Sequence, residues 1–363
     1  MLLRLTVFLF ACPLFLSAGG STQDVADHMR VVRNHNAEIT DKLMAMNALL
    51  NLGSDAQRQL CAQLERDCKS LRADFEKSRA KLVGDFALAA PRVIEERLNR
   101  EATESLDEWR TTILEHSRDQ SLTKEMIVNE SDPALANIEG LLSVKTREVY
   151  DENPDLYALL IATRDIQSEE RVYYGFWSRS GKRLQATPEG NKIYKRLEQL
   201  DDPRPLEDAL YKELDLLAKF AIPMTAGDRQ VLAANREIAG EVEPAEAEGN
   251  EILNLMRIRL GLGAVRCDPK LHSASRGHSK DMVDHGFFSH TSPVPGKEQF
   301  TQRAALAGTS ASSENIAQGQ KTPAAAILGW WHSPGHHRNM LGAGHARVGL
   351  GRHANTWTQM FGR

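Results

Sequence analysis

An apolar stripe that recurs every eleven residues limits what the first part of this chain can become. Leu60, Leu71 and Leu82 form one row and Leu64, Phe75 and Phe86 another, with Cys68 in the same stripe. Eleven residues in three turns is about 3.67 per turn, so the stripe stays on one side of a nearly straight helix without left-handed coiling. From Asp24 to about Ala239 the pattern is helical almost throughout. Prolines punctuate it. Pro91 is expected to end the long run, and later breaks fall at Asp132-Pro133, Asn153-Pro154, Asp202-Pro203 with Pro205, and Pro223. The residue before a proline is biased out of the helical region, so these breaks divide residues 21–239 into roughly six helices. No period of 20 to 50 residues marks a solenoid. One aromatic patch, Arg171-Val172-Tyr173-Tyr174-Gly175-Phe176-Trp177-Ser178-Arg179 with Lys182 and Arg183, reads either as the packed joint between two helices or as a sugar- or peptide-binding surface.

Ahead of the helices, residues 1–20 read as an export signal. Arg4 supplies a small positive start, Leu5 to Leu16 an apolar run, and Ser17-Ala18-Gly19-Gly20 a small-residue exit. The run is shorter than the roughly 20 apolar residues a spanning helix needs, and whether it is cut is left open. No cysteine follows the small residues, which argues against a lipid-anchored start, and no later stretch is apolar enough to span a bilayer. The expected location is secreted or periplasmic. Such a compartment permits disulfides, yet Cys61, Cys68 and Cys267 are too few for a framework. Cys61 and Cys68 on one helix would stand roughly 10 Å apart along the axis, beyond the reach of a disulfide. They read as small buried hydrophobes or as partners in an intermolecular bridge.

At 363 residues, of which 41% are hydrophobic and 26% charged, the chain reads as globular with about two domains. A net charge of −4 and the absence of a basic stripe interleaved with aromatics exclude nucleic acid as an expected partner. Histidine is the uneven component: nine of twelve lie from His272 onward. Imidazole is the side chain that titrates near neutral pH and the commonest metal ligand, so chemistry is to be sought there.

The acidic stretch 240–250 reads as a linker or a frayed helix start, followed by a second domain at 251–363. Glu251 to Leu260 is a helix stopped by Gly261 and Gly263, and Asp268-Pro269 opens another that runs to Gly286. His272, His278 and His285 lie on or near it at spacings that do not cluster ligands, so they read as exposed or structural. A third helix spans about Thr322 to Trp331, and Val348–Gly351 and Trp357–Phe361 read as two strands around a polar turn. The mixture predicts an α+β domain.

Within it stands Trp330-Trp331-His332-Ser333-Pro334-Gly335-His336-His337. His332 and His336 would share a face of a continuous helix, but Pro334 and Gly335 argue instead for a turn that presents His336. Phe287-Phe288-Ser289-His290 offers another imidazole and Ser313-Glu314-Asn315 a carboxylate. These three segments are expected to meet.

The order Leu253-Asn254…Arg257…Gly261-Leu262, His278-Ser279…Asp281-Met282, Phe287-Phe288-Ser289-His290, Glu314-Asn315-Ile316-Ala317, Trp331…Ser333-Pro334-Gly335-His336, Val348-Gly349-Leu350-Gly351 and Trp357…Gln359…Phe361 resembles the CAP superfamily of cysteine-rich secretory, pathogenesis-related group 1 and bacterial SCP-domain proteins. The resemblance covers about Ala245 to Arg363. It implies an α-β-α sandwich whose cleft is lined by two histidines and two glutamates that in some members hold a divalent metal. His290, Glu314 and His336 match three of the four. Pro334 stands where the second glutamate is expected, which reduces the tetrad to a triad, and His337 is read as peripheral.

Two imidazoles and a carboxylate suit Zn²⁺ or a similar divalent ion with an open position for water, which could bind a ligand or activate water. Without metal, Glu314 could orient an imidazole as a general base, but no nucleophile is evident; Ser289 and Ser333, beside turns, read as structural. Three readings follow. One is an exported binding module whose cleft takes a lipid, peptide or glycan, the helical region serving reach, a protein partner or self-association. The second is a metal-assisted extracytoplasmic peptidase, against which the absence of HExxH and Gly-x-Ser-x-Gly counts. The third is a structural or interaction protein with a vestigial cleft.

Overall fold

A computed structural model describes residues 21–363; the expected export signal lies outside them. Among the described residues the helices are, in order, α1 (Thr22–Arg33), α2 (Ile39–Asn51), α3 (Ser54–Arg97), α4 (Arg100–Arg118), α5 (Lys124–Met126), α6 (Asp132–Leu141), α7 (Thr146–Glu152), α8 (Pro154–Gln185), α9 (Pro188–Leu197), α10 (Arg204–Lys219), α11 (Ala226–Ile238), α12 (Pro244–Arg259), α13 (Pro269–Asp284), α14 (Phe300–Leu306), α15 (Pro323–Trp331) and α16 (Pro334–Met340). A π-helical turn, Ile127–Ser131, joins α5 to α6. The strands are β1 (Arg266–Cys267), β2 (Ser313–Gln318), β3 (Arg347–His353) and β4 (Thr356–Gly362).

Among the described residues eleven helices thus precede Ala239, where proline breaks alone suggest about six. The extra boundaries come from other signals. Gly53, at φ 100°, ends α2, and the side chains of Asn99, Thr123 and Thr187 cap α4, α5 and α9. Pro91 does not end the long run: it lies inside α3. It removes one backbone donor, but Ala89, Ala90, Val93 and Ile94 around it are buried, and that packing carries the helix on to Arg97.

Two compact units divide the described chain: residues up to Phe86 with Asn153–Leu214, and Ala87–Glu152 with Asp215–Arg363. In the first, the eleven-residue stripe is the core. Leu60, Leu64, Cys68, Phe75, Leu82 and Phe86 are all buried, and Leu71 packs against them half-buried. The aromatic patch is a packed joint: Tyr173, Phe176 and Trp177 of α8 are buried in one cluster with Met46, Leu49 and Leu64. Its few buried charges are paired, Arg72 with Glu170 at 2.7 Å.

In the second unit a four-stranded sheet runs β1-β3-β4-β2, with β1 parallel to β3 and the other pairs antiparallel. Helices cover both faces. Gly349 and Gly351 of β3 have no Cβ, and one there would overlap the backbone of α13 at Leu271–His272 and Ser275–Arg276. The alternate residue, Leu350, faces the other way and meets Gly249 of α12. This is the α-β-α layering the resemblance implies. Of the two readings of the acidic stretch, linker or helix start, residues 244–250 take the second: they are the opening turns of α12, with Glu246 and Asn250 buried. Glu246 accepts from Arg276 at 2.9 Å and from the Arg352 backbone at 2.9 Å, so its acidity serves the interior.

The sheet unit also takes in helices from the helical region. Asp228 and Asn235 of α11 accept from the backbone of Ala264 and Cys267, each at 2.8 Å. Asp132 of α6 accepts from Trp331 Nε1 at 2.7 Å. These polar contacts have no periodicity, and so the sequence boundaries at 239 and 251 do not show them.

Candidate functional site

β2 is an edge strand, and the three expected segments converge on it. Glu314 is the second residue of β2, opposite Met360 of β4. His290 arrives on the loop after α13, where His278, fully buried on that helix, holds the loop by donating from Nε2 to the Ser289 carbonyl at 3.1 Å. His336 arrives from the opposite helical layer. Pro334 does not make a turn that interrupts a helix; it starts one, standing at the first position of α16, where its missing N–H costs nothing. Asn339 then donates to the Glu314 carbonyl at 3.2 Å and to Asn315 Oδ1 at 2.8 Å, fixing α16 against β2.

His290 Nδ1 donates to Glu314 Oε1 at 2.9 Å, and the rings of His290 and His336 lie 6.1 Å apart between centroids. The fourth member is one the sequence did not announce. Arg303 of α14 donates through Nη2 to Glu314 Oε2 at 2.6 Å and to the His290 carbonyl at 3.1 Å. The Glu314 and Arg303 side chains are 1% and 2% exposed, whereas His290 is 51% exposed. A buried carboxylate with both oxygens engaged is an ion pair that orients an imidazole. Burial, and then the neighbouring His290, pushes the His336 pKa down, which favours its neutral form.

The other histidines separate cleanly. His332 caps α15 and donates from Nε2 to Asp132 Oδ2 at 2.9 Å, away from His336. His337, read as peripheral, is fully buried: its ring packs 4.3 Å from that of Trp331 and its Nδ1 donates to the Trp331 carbonyl at 2.7 Å. His272 is buried and hydrogen-bonded to the Leu350 carbonyl, while His285 is exposed. Ser289 Oγ accepts from the Thr291 amide at 3.1 Å, a local turn contact. Cys61, Cys68 and Cys267 are free and buried.

Among the described residues, no group of three or more His, Cys, Asp or Glu side chains is placed to hold a metal ion. The chemistry of the donors gives the reason at this site. Arg303 already supplies the positive charge at Glu314, and His290 turns Nδ1 to the same carboxylate. The residues as placed do not fit a divalent ion held by all three.

With the layering and the meeting of His290, Glu314 and His336 in place, residues 251–361 match the model of the cysteine-rich secretory protein family, CAP. This part of the chain is a CAP domain. Over 113 residues it is 34% identical to the uncharacterized Bacillus subtilis protein YkwD, spanning 31% of this chain and 44% of that protein. It is 29% identical over 111 residues to the uncharacterized Bacillus subtilis membrane protein YlbC, spanning 32% of it. Less than half the length of these curated relatives is therefore matched. Among solved structures, an extracellular SCP-domain protein of Bacillus anthracis shares 27% identity at TM-score 0.32, over 39% of this chain and 44% of that one. An outer surface protein of Borrelia burgdorferi shares 17% at TM-score 0.29, over 31% of this chain and 88% of that one. Among the described residues no helix is long and apolar enough to cross a membrane.

Proposed function

We propose that this is an exported binding protein whose CAP cleft takes a polar ligand, a peptide or a glycan, through His290 and His336 without a metal. The observation that carries the reading is the Arg303–Glu314–His290 chain. It spends the carboxylate on orienting one imidazole and leaves His290 Nε2 on a half-exposed ring, two residues after the exposed Phe288. Since Nδ1 donates to Glu314, the neutral ring offers Nε2 as an acceptor for a ligand N–H or O–H. Phe288 offers an apolar face for a sugar or a peptide side chain. Export is supported by the signal-like start and by relatives described as extracellular or outer-surface proteins. The helical region then supplies reach, or a contact for a protein partner or a second copy.

The peptidase reading has less support, because among the described residues no group of three or more His, Cys, Asp or Glu side chains is placed to hold a metal ion. The test is NMR of the full chain with labelled histidine, titrated with tri-N-acetylchitotriose and with a tetra-alanine peptide. Saturable shifts of His290 and His336 with either probe, lost in His290→Ala and His336→Ala, are expected. No shift with either probe removes the binding reading, and cleavage of the peptide that both substitutions abolish reinstates the hydrolase.

A further inference from the structure

A cavity in the CAP-bearing unit is lined by none of His290, Glu314 and His336, and most of its walls lie ahead of the matched family segment. It holds about 330 Å³ between the α3–α4 turn, α4, the segment leading into α11 and the end of α12. That volume falls at the lower end of small-molecule sites. Buried Leu106, Leu142 and Ile258 and half-buried Leu262 line it, while exposed Thr225, Gly261 and Gly263 mark its open side.

Its polar side chains are Arg110, Thr225 and Asp228, and two of them are already engaged. Asp228 Oδ1 accepts from the Ala264 amide at 2.8 Å, and its Oδ2 accepts from the Thr225 hydroxyl at 2.6 Å. Thr225 Oγ1 in turn accepts from the Asp228 amide at 3.1 Å, which closes the cap of α11. Arg110 differs. Its Nε donates to the Arg259 carbonyl at 2.8 Å, which ties the guanidinium to the end of α12 and uses one of five donors. The carboxylate of Asp107 stands 3.9 Å from Nη1 and is 69% exposed, beyond hydrogen-bond reach. Among the described residues, neither Nη group of Arg110 has a hydrogen-bond partner. Both are accessible rather than sealed in: the side chain is 24% exposed, and neither nitrogen is among the enclosed unpaired atoms. The guanidinium borders the open side, where a Cβ on Gly261 would lie 3.8 Å from its Cζ. Burial pushes the Arg110 pKa down, and the counter-charge acting against this is Asp107. A partly desolvated guanidinium with so distant a partner gains from a carboxylate, which Nη1 and Nη2 can grip at two points.

We propose that this cavity is a second ligand site, and that it takes a small carboxylic acid with a compact apolar body, its carboxylate on the Arg110 fork. The apolar part covers Leu106, Leu142 and Ile258, which an acid without such a body would leave wet. An amine would be repelled by the same guanidinium.

The test is equilibrium dialysis of the full chain at neutral pH with 2-naphthoate, and with 2-naphthamide as the matched uncharged molecule. Saturable 2-naphthoate binding is expected, at least tenfold tighter than that of 2-naphthamide, since a hydrogen bond to a charged group is worth that much. Arg110→Gln is expected to erase the preference, and Leu262→Trp, which fills the cavity from the end of α12, to abolish binding of the acid. Thermal unfolding of both variants is followed to show that they remain cooperative. Equal affinity for acid and amide, a preference that survives Arg110→Gln, binding that survives Leu262→Trp, or no saturable 2-naphthoate binding overturns the proposal. The two variants approach the site from different elements, so either one locates it if the other fails to fold.

Discussion

The core of the helical unit and the interior of the CAP domain are equally buried but built from different materials. Along α3 the buried positions include Leu60, Leu64, Phe75, Leu82 and Phe86, side chains whose contribution scales with area and needs no particular partner. In the CAP domain Asn254, Arg257, His272, Ser275, His278, Arg303, Glu314, Asn315 and Gln359 are buried. Each of them needs a partner at a set distance, because a buried polar group without one is expensive. The first kind of core tolerates drift, whereas the second fixes one arrangement of loops and so can hold a site.

The largest expected effect breaks that second arrangement. Arg303→Met leaves the Glu314 carboxylate buried and uncompensated, and a cost of about 3 to 5 kcal/mol is expected in urea unfolding. Four of the five tryptophans, Trp109, Trp330, Trp331 and Trp357, lie in the CAP-bearing unit, so intrinsic fluorescence reports it. Adding Glu314→Gln to that variant should recover part of the loss; no recovery would mean that Arg303 acts through packing alone. In the helical unit Phe75→Ala is expected to cost about 3 to 5 kcal/mol through its cavity. A conservative Phe75→Leu should recover most of that, as a core of area permits.

What could be read from the sequence follows the same division. The eleven-residue stripe was visible because a straight helix repeats its buried face in sequence order, and all its positions but the half-buried Leu71 are buried. His290, Glu314 and His336 could be nominated from three short motifs, and they do meet. Arg303 could not, since nothing in Phe300–Leu306 distinguishes an arginine that turns inward from a surface one. Pro334 reads as a turn for a local reason: proline–glycine signals a turn, but a proline at a first helical position starts a helix. Asp132, Asp228 and Asn235 stayed hidden because an isolated hydrogen bond to a residue distant in sequence leaves no pattern.

A smaller effect separates the two interiors by pH. Burial pushes the pKa values of His278, His337 and His345 down to about 4, below the ordinary 6.5. The unfolded chain therefore binds more protons between those values, and stability contributed by the neutral rings is present above pH 6.5 and lost as pH falls toward 4. On the order of 1 to 3 kcal/mol per histidine is expected. Urea midpoints followed by tryptophan fluorescence at pH 7 and pH 5 should differ accordingly, and His337→Phe should flatten the difference. The smallest effect falls at the cleft itself. His290 is half-exposed, so His290→Ala should cost only about 0.5 to 1.5 kcal/mol while removing ligand binding.

The central claim is that Glu314 is committed to Arg303 and His290 and does not hold a metal. Nitrogen-15 NMR of labelled histidine in the full chain, recorded before and after one equivalent of Zn²⁺, tests it most directly. The account predicts that neutral His290 carries its proton on Nδ1, that Glu314→Gln weakens this preference, and that zinc leaves both His290 and His336 unchanged. Stoichiometric zinc binding that shifts both rings together, and is lost in Glu314→Gln, would contradict it.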